Sequence, residues 1–493
     1  MQFALALLLA QMGQAIQPLP QPLAFVDVSV VDTRTGIIHD NMVVITVDDC
    51  IDVIGKVDCI EIPQSARRVK ATGRFLIPGL WDMHIHILNK HNVDRFSSLL
   101  LANGVTGVRD MGGLARGIES ARILRLEEQT SKAMRPRIVA AGAVVDGPPV
   151  VLGPLKDIPT PVLVSNPDKP RLEEMEVDKH GFLIIRSGDY GRHVVDTLVG
   201  NEVDFIKVYS HLSRESYFAI ADQCKRRSIP FAGHVPAAVT ALEASDAGQH
   251  SFEHLLGVLS ACSRDPNLAK LVIQLSDHLN KAEELIGTYD ESKARVLFER
   301  FLKNGTWQCP TLIALRPLEE RDDSFFKNDR QSNYLPLAEH SLLKLLELHA
   351  KALKFGARTP REHFYGKRIF AKQLEILGKM HRMGVKILAG TDTAMFSVPG
   401  FNLHDELELF VRAGMSPLEA LQTATLNPAE YLGREQEFGA VEVGKRADLV
   451  LLKENPLSAI GNTRSIAGVV SHGHYLSDDL LKVMLLEIKA NDP

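Results

Sequence analysis

The chain has 493 residues, 45% hydrophobic and 24% charged, with a formal net charge of −5. That length suggests two or three domains, although one α/β barrel can absorb about 250 residues. The slight acidic excess supplies no footprint for nucleic acid, whose phosphates demand a basic patch, and no run of 18 apolar residues offers a membrane span.

The N-terminus, MQFALALLLAQMGQA, has an apolar run from Phe3 to Ala10, then the small residues Gly13 and Ala15. This fits a short signal peptide over residues 1–15, with only the α-amino group for positive charge, and predicts a secreted or periplasmic protein, cytoplasmic otherwise. Five cysteines (Cys50, Cys59, Cys224, Cys262, Cys309) lack CxxC or HxC spacing and read as buried free thiols. Export would permit a local Cys50–Cys59 bridge.

Residues 23–77 alternate apolar and polar positions in VDVSVVD and VVITV, the pattern of half-buried strands. Residues 434–484 look alike (GAVEVGKRADLVLLKENPL, SIAGVVSHGHYLSD), so both termini are expected to build one small β-sandwich. Between them, residues 78–433 hold eight strand candidates: LWDMHIH (80–86), VTGVRDM (105–111), RIVAAGAVV (137–145), FIKVYS (205–210), PFAGHV (230–235), SFEHLL (251–256), WQCPTL (307–312) and KILAGTD (386–392). Helical stretches separate them, and eight parallel βα units predict an α/β fold with a (β/α)8 TIM barrel. Ser416, Pro417 and Glu419 form a capping box, and Asn427, Pro428 and Gly433 repeat the start and stop signals. Residues 146–204 and 315–385 are too long for simple connections and follow strand C-terminal ends, so they are expected to form lids or pocket walls.

The chemistry starts at His84 and His86. Residues i and i+2 of a strand share a face, so both imidazoles can reach one cation. An HxH pair alone is weak, because His472 and His474 make a second copy in the terminal β segment that reads as structural. Other predicted strand ends strengthen the first copy: Lys207 on the fourth, His234 on the fifth, His254 on the sixth and Asp392 on the eighth. A lone lysine is usually snorkelling or salt-bridged. A buried, desolvated one loses its proton readily, and the neutral amine can add CO2 to give an anionic, bidentate carbamate.

HxH on strand 1, Lys on strand 4, His on strands 5 and 6 and Asp on strand 8 resemble the amidohydrolase superfamily. LIPGLWDMHIH, GVTGVRDMGG, FIKVYS, AGHVP, SFEHLLG, LAGTDT and VGKRADLVLL resemble it in order over residues 70–450. The chain is most similar to the imidazolonepropionase-related and prolidase-like branch with a carboxylated lysine. The resemblance implies that His84, His86 and Asp392 bind the more buried of two divalent metal ions, that His234 and His254 bind the other, and that carboxylated Lys207 bridges them. It implies Zn²⁺, a shared hydroxide attacking an amide C–N bond, and Asp392 as the proton carrier.

Around this set, Tyr209 should share the face of Lys207 and reach a substrate carbonyl or simply pack. His250 reads as structural and His404 as a helix cap. His340, His349, His363 and His381 read as surface residues, and Gly112-Gly113 as a turn or a ligand approach. A prolidase-like dipeptidase and a one-metal deaminase are the alternatives, and Lys207 counts against the deaminase. Arg192 or Arg382 near the metals would favour a substrate with a free carboxylate. The expected partner is a small amide or peptide, with no nucleic acid and no membrane, and the sequence leaves a homo-oligomer open.

Overall fold

The computed structural model describes residues 21–88, 93–113, 117–129, 134–148, 175, 177, 182–268, 281–316, 334, 360–393 and 398–490. The signal-peptide reading, most of both long insertions, His340 and His349 fall outside the described residues, as does the side chain of His363.

The first strands are β1 (Leu23–Val31), β2 (Ile38–Val47), β3 (Cys50–Lys56), β4 (Arg67–Lys70) and β5 (Phe75–Pro78). Alternation in β1 sends Leu23 and Phe25 to one apolar cluster and Ala24 and Val26 to another. Asp27, at φ 61°, breaks the β1–β2 register between Val26 and Val28. Such an extra residue reverses the parity of the strand, and Val28 and Val30 accordingly join the face of Leu23 and Phe25.

Gly79 links β5 to β6 (Leu80–Ile85), which forms a three-stranded parallel sheet with β7 (Val105–Asp110) and β8 (Arg137–Ala140). Next come β9 (Val144–Asp146), β10 (Leu183–Ile184), β11 (Ile206–Val208), β12 (Phe231–Gly233), β13 (Ser251–Glu253) and β14 (Trp307–Cys309). They form a six-stranded parallel sheet in the order β10-β9-β11-β12-β13-β14. Helices occupy the connections, with caps that residue type explains. Ser213 accepts from Ser216 N to open Arg214–Arg227, and Asp290 accepts from Ser292 N and Lys293 N to open Glu291–Asn304. The last strands are β15 (Leu449–Leu452), β16 (Ile466–Ser471) and β17 (His474–Ser477), followed by the helix Asp478–Ala490.

The result is an α/β fold with a β-sheet domain built from both termini. β15 pairs antiparallel with β5, which zips the two ends into one eight-stranded sheet of order β17-β16-β15-β5-β1-β2-β3, with β4 beside β1. Val57, Ile60, Ile62 and Ala66, from the segment between β3 and β4, cover the second apolar face of β1 and β2 in this terminal β-sheet domain.

The candidate strand 137–145 is broken by Gly142, at φ 76°, so that β8 pairs with β7 while β9 pairs with β11. Residues 386–392 form no continuous ladder. They are held by single parallel bridges, Gln308 with Ile387 and Ile85 with Thr393, and by Met83 N donating to Ala389 O at 2.8 Å. Ala389 N donates to Thr423 O and Asp392 adopts φ 54°, which takes this segment out of regular pairing.

The capping box at Ser416 is present. Asn427, expected as a cap, lies inside the helix Leu426–Tyr431, whose N-cap is Thr425. Its amide instead donates to Ile387 O at 2.7 Å. Cys224, Cys262 and Cys309 are buried, whereas Cys50 and Cys59 are exposed and free, because the β3 edge and the turn after it lie at the surface. Among the described residues no helix is long and apolar enough to cross a membrane.

Candidate metal centre

His84 lies in β6 and His86 directly follows it, and both point into the same space. The turn after them is held by the buried Asp110, which accepts from Ile87 N (2.7 Å), Leu88 N (3.1 Å) and Gly112 N (2.9 Å). The carboxylate thus satisfies three backbone donors at a strand end. Gly112, at φ 80°, turns its carbonyl to His86 Nδ1 at 2.5 Å. His84 Nδ1 donates to Glu253 Oε2 at 2.6 Å, His254 Nδ1 meets Thr311 Oγ1 at 2.6 Å, and His234 Nδ1 meets Ser210 Oγ at 2.8 Å.

Each Nδ1 of these four rings is therefore engaged by the framework, the arrangement that orients a metal-ligating imidazole. The Nε2 atoms of His84 and His86 lie 3.4 and 3.3 Å from Asp392 Oδ1, and His84 Nε2 is buried with no hydrogen-bond partner among the described residues. His84, His254 and Asp392 together form a group that could hold one ion. The His254 ring also stands 4.9 Å from that of His234, edge to face, so the cluster is continuous.

Asp392 is fixed from both sides. Its N donates to His84 O at 2.8 Å, and Thr391 binds the buried Asp82 through N (3.1 Å) and Oγ1 (2.6 Å). Gly390 lets this segment approach closely: a Cβ there would sit 2.5 Å from Cys309 Sγ and 2.7 Å from His84 Cβ.

Lys207, in β11, is fully buried and its Nζ has no hydrogen-bond partner among the described residues. Gly233 clears its path, since a Cβ there would lie 3.0 Å from Lys207 Cδ. Burial pulls the Lys207 amine down to about 8, against the opposing charges of Glu253 and Asp392. Burial, then the Lys207 charge, holds His84 and His234 well below the usual imidazole range, in the neutral form a metal requires. Burial lowers His254 too. For His86 burial is outweighed by Asp392, and the ring is raised. Burial would raise the Asp392 carboxyl, but His254, His86 and His84 together hold it well below the usual carboxylate range.

A second layer was not read from the sequence. Glu253 accepts from His84, from Arg109 Nη2 at 3.0 and 3.1 Å, and from Ser251 Oγ at 2.5 Å, all fully buried. Arg109 also donates to Tyr431 Oη at 2.7 Å and Met83 O at 2.6 Å. The available signal was a charged residue of each sign inside otherwise apolar strands, VTGVRDM and SFEHLL. His84, Glu253 and Cys309 form a second possible ligand group. Burial holds the Cys309 thiol well above its usual range, hence protonated, and Glu253 is already engaged, so this group is framework.

Tyr209 stacks on His234 at 4.0 Å, and burial keeps its phenol protonated. His250 stacks on Tyr431 at 4.2 Å. His404 is no cap: Gly400 caps its helix, and His404 ties Thr463 Oγ1 (2.8 Å) to Asn103 O (3.1 Å). His472 and His474 sit at the β16–β17 hairpin, and His381 pairs with Glu419 at 3.0 Å. Arg192 pairs with Asp222 at 2.8 Å between two helices. Arg382 ends the helix Pro360–Arg382, which leads into residue 386 and so lies at the opposite end of that segment from Asp392.

The profile of the amidohydrolase family matches residues 75–476. Over 94 residues (19% of this chain) the sequence is 33% identical to an adenine deaminase from Ligilactobacillus salivarius. Over 81 residues (16% of this chain) it is 42% identical to an ochratoxinase from Aspergillus niger. Each alignment spans only 16% of the relative's own length. A crystal structure of a Xaa-Pro dipeptidase with methionine bound in its active site superimposes with a TM-score of 0.64 at 18% identity, covering 92% of this chain and all of that one, a likeness of fold.

Proposed function

The chain belongs to the amidohydrolase family, hydrolases of carbon–nitrogen bonds, and from that premise we propose that it is a two-metal amide hydrolase. The observation that carries the reading is Lys207: a fully buried amine without a hydrogen-bond partner among the described residues, beside neutral imidazoles. Such an amine is suited to carboxylation. We assign His84, His86 and Asp392 to one ion and His234 and His254 to the other, with carboxylated Lys207 between them. The imidazole and carboxylate donors favour zinc. When bound, the ions would supply an activated water near neutral pH and polarise the amide carbonyl.

The chain's own groups divide the remaining work. Asp392, kept ionised by the surrounding imidazoles, takes the proton of the attacking water and returns it to the leaving amine. Tyr209 presents a protonated phenol beside His234 that can donate to the substrate carbonyl. Glu253 and Arg109 hold the His84 tautomer. His84 and Lys207 lie in parallel strands near their C-terminal ends, and His234 and His254 directly follow such strands, the end at which a (β/α)8 barrel keeps its active site. The bridges at Ile387 and Thr393 support closing the two parallel sheets into that barrel.

The substrate is a small amide or peptide. A one-metal deaminase is disfavoured because it leaves the Lys207 amine buried and idle. The test is hydrolysis of a dipeptide and N-acyl amino acid panel by zinc-loaded protein, by chelated protein and by Asp392→Asn. Metal-dependent cleavage that Asp392→Asn abolishes is expected. Release of ammonia from an aminopurine, with no amide cleaved, would overturn the reading.

A further inference from the structure

A second pair, Asp146 and His211, borders this site and has no part in the reaction proposed above. β9 and β11 are adjacent parallel strands with Val145 opposite Val208. Asp146 ends β9, and Tyr209, Ser210 and His211 follow β11, with Tyr209 N donating to Val145 O at 3.0 Å. Asp146 is fully buried. Its Oδ1 accepts from Gly147 N at 2.8 Å and His211 N at 2.6 Å, and its Oδ2 lies 3.0 Å from His211 Nδ1. Both oxygens of one carboxylate thus fix one turn and one imidazole, with Nδ1–H donating. The ring is 30% exposed, and its Nε2 has no partner among the described residues.

The turn is closely packed: a Cβ on Gly147 would lie 2.1 Å from His211 O. The two residues before His211 already belong to the centre, since Tyr209 stacks on His234 and Ser210 Oγ meets its Nδ1 at 2.8 Å. His211 is at most about 14 Å along the chain from Lys207. The two side chains and a two-residue substrate, about 7 Å extended, can share that span. Arg192 and Arg382, the cations the sequence offered for this task, are remote.

We propose that His211, oriented by Asp146, binds the free carboxylate of the substrate, so that the enzyme acts on dipeptides or N-acyl amino acids rather than on uncharged amides. This rests on the amide-hydrolase reading. The Asp146 hydrogen bond also raises the proton affinity of the ring, which favours the cationic, doubly donating form. If the pair only stiffened the turn, the Asp146 bonds to Gly147 N and His211 N would suffice and the ring would be replaceable.

The experiment compares kcat/KM for N-acetyl amino acids with that for their C-terminal amides, in wild type, His211→Gln and His211→Arg. Both variants retain the backbone bonds to Asp146 that hold the turn. The wild type should prefer the free acids. The acid-over-amide ratio should fall by about 10- to 100-fold in His211→Gln, as expected for a lost charge-assisted hydrogen bond, and recover in His211→Arg. An unchanged ratio, whatever happens to the absolute rates, would overturn the proposal and leave amide hydrolysis standing. If zinc-loaded wild type cleaves nothing in the panel, the function reading itself fails. The inference is then decided by calorimetric binding of N-acetyl amino acids against their amides, where equal affinities in wild type and His211→Gln would overturn it.

Discussion

Glu253→Gln separates the framework of the centre from its ligands. The Glu253 carboxylate is fully buried and meets four donor contacts: two from Arg109 (3.0 and 3.1 Å), one from Ser251 (2.5 Å) and one from His84 (2.6 Å). Replacing it with a neutral amide leaves the Arg109 guanidinium buried without a counter-charge. Breaking a buried pair costs about 3–5 kcal/mol, a large part of a typical net stability of about 5–15 kcal/mol. The amide also carries two donors of its own, so one set of contacts becomes donor against donor. If the NH2 faces His84, the ring proton moves to Nε2 and that nitrogen can no longer bind a cation. Loss of such an orienting partner lowers metal affinity about 10- to 100-fold. Denaturant unfolding of the metal-free protein reads the first effect, and zinc competition against a chromogenic chelator reads the second. Adding Arg109→Met should recover part of the stability but not the metal affinity. Wild-type zinc affinity in folded Glu253→Gln would refute the reasoning.

Other predictions probe separate links. Gly390→Ala places a methyl 2.5 Å from Cys309 Sγ and 2.7 Å from His84 Cβ; it should cost about 1–3 kcal/mol and weaken zinc binding, and wild-type values for both would contradict the close approach. Glu406 is fully buried, accepts from Leu312 N and Ile313 N, and is pushed by burial from 4.5 up to about 8. The folded state therefore keeps a proton that the unfolded chain releases above 4.5. This contribution is fully present below the unfolded value and is lost as pH rises through the folded one, an effect of a few kcal/mol at most. Glu406→Gln should thus gain on wild type between about pH 5 and pH 9 in denaturant unfolding at constant ionic strength; a gap that stays constant would exclude a buried, protonated Glu406.

The legible features were those set by local period. His84 and His86 lie two apart at the end of one strand, His86 just beyond it, and Lys207, His234 and His254 lie in or just after short apolar runs, so alternation and position were enough to propose them. The capping box at Ser416 was equally local. What stayed hidden depends on partners distant in sequence. Glu253 and Arg109 are 144 residues apart, and only folding reveals that two charges inside apolar strands neutralise each other. The break at Gly142 and the irregular segment around Ala389 follow from competing tertiary bonds. Asp27 looked like a polar position in an alternating strand, yet its positive φ reverses the pattern. Asn427 had the residue type of a cap, but its amide serves a carbonyl of the neighbouring segment instead.

The central claim is that Lys207 completes a two-metal site, and metal stoichiometry tests it most directly. Wild-type protein and Lys207→Ala, purified without chelator and dialysed against zinc, would be compared by elemental analysis. The account predicts about two Zn²⁺ per chain in the wild type and a clear loss in Lys207→Ala. Removing a buried amine whose Nζ has no hydrogen-bond partner among the described residues should not unfold the metal-free chain, which circular dichroism would verify. Equal zinc content in a folded Lys207→Ala, or no zinc in the wild type, would contradict the account.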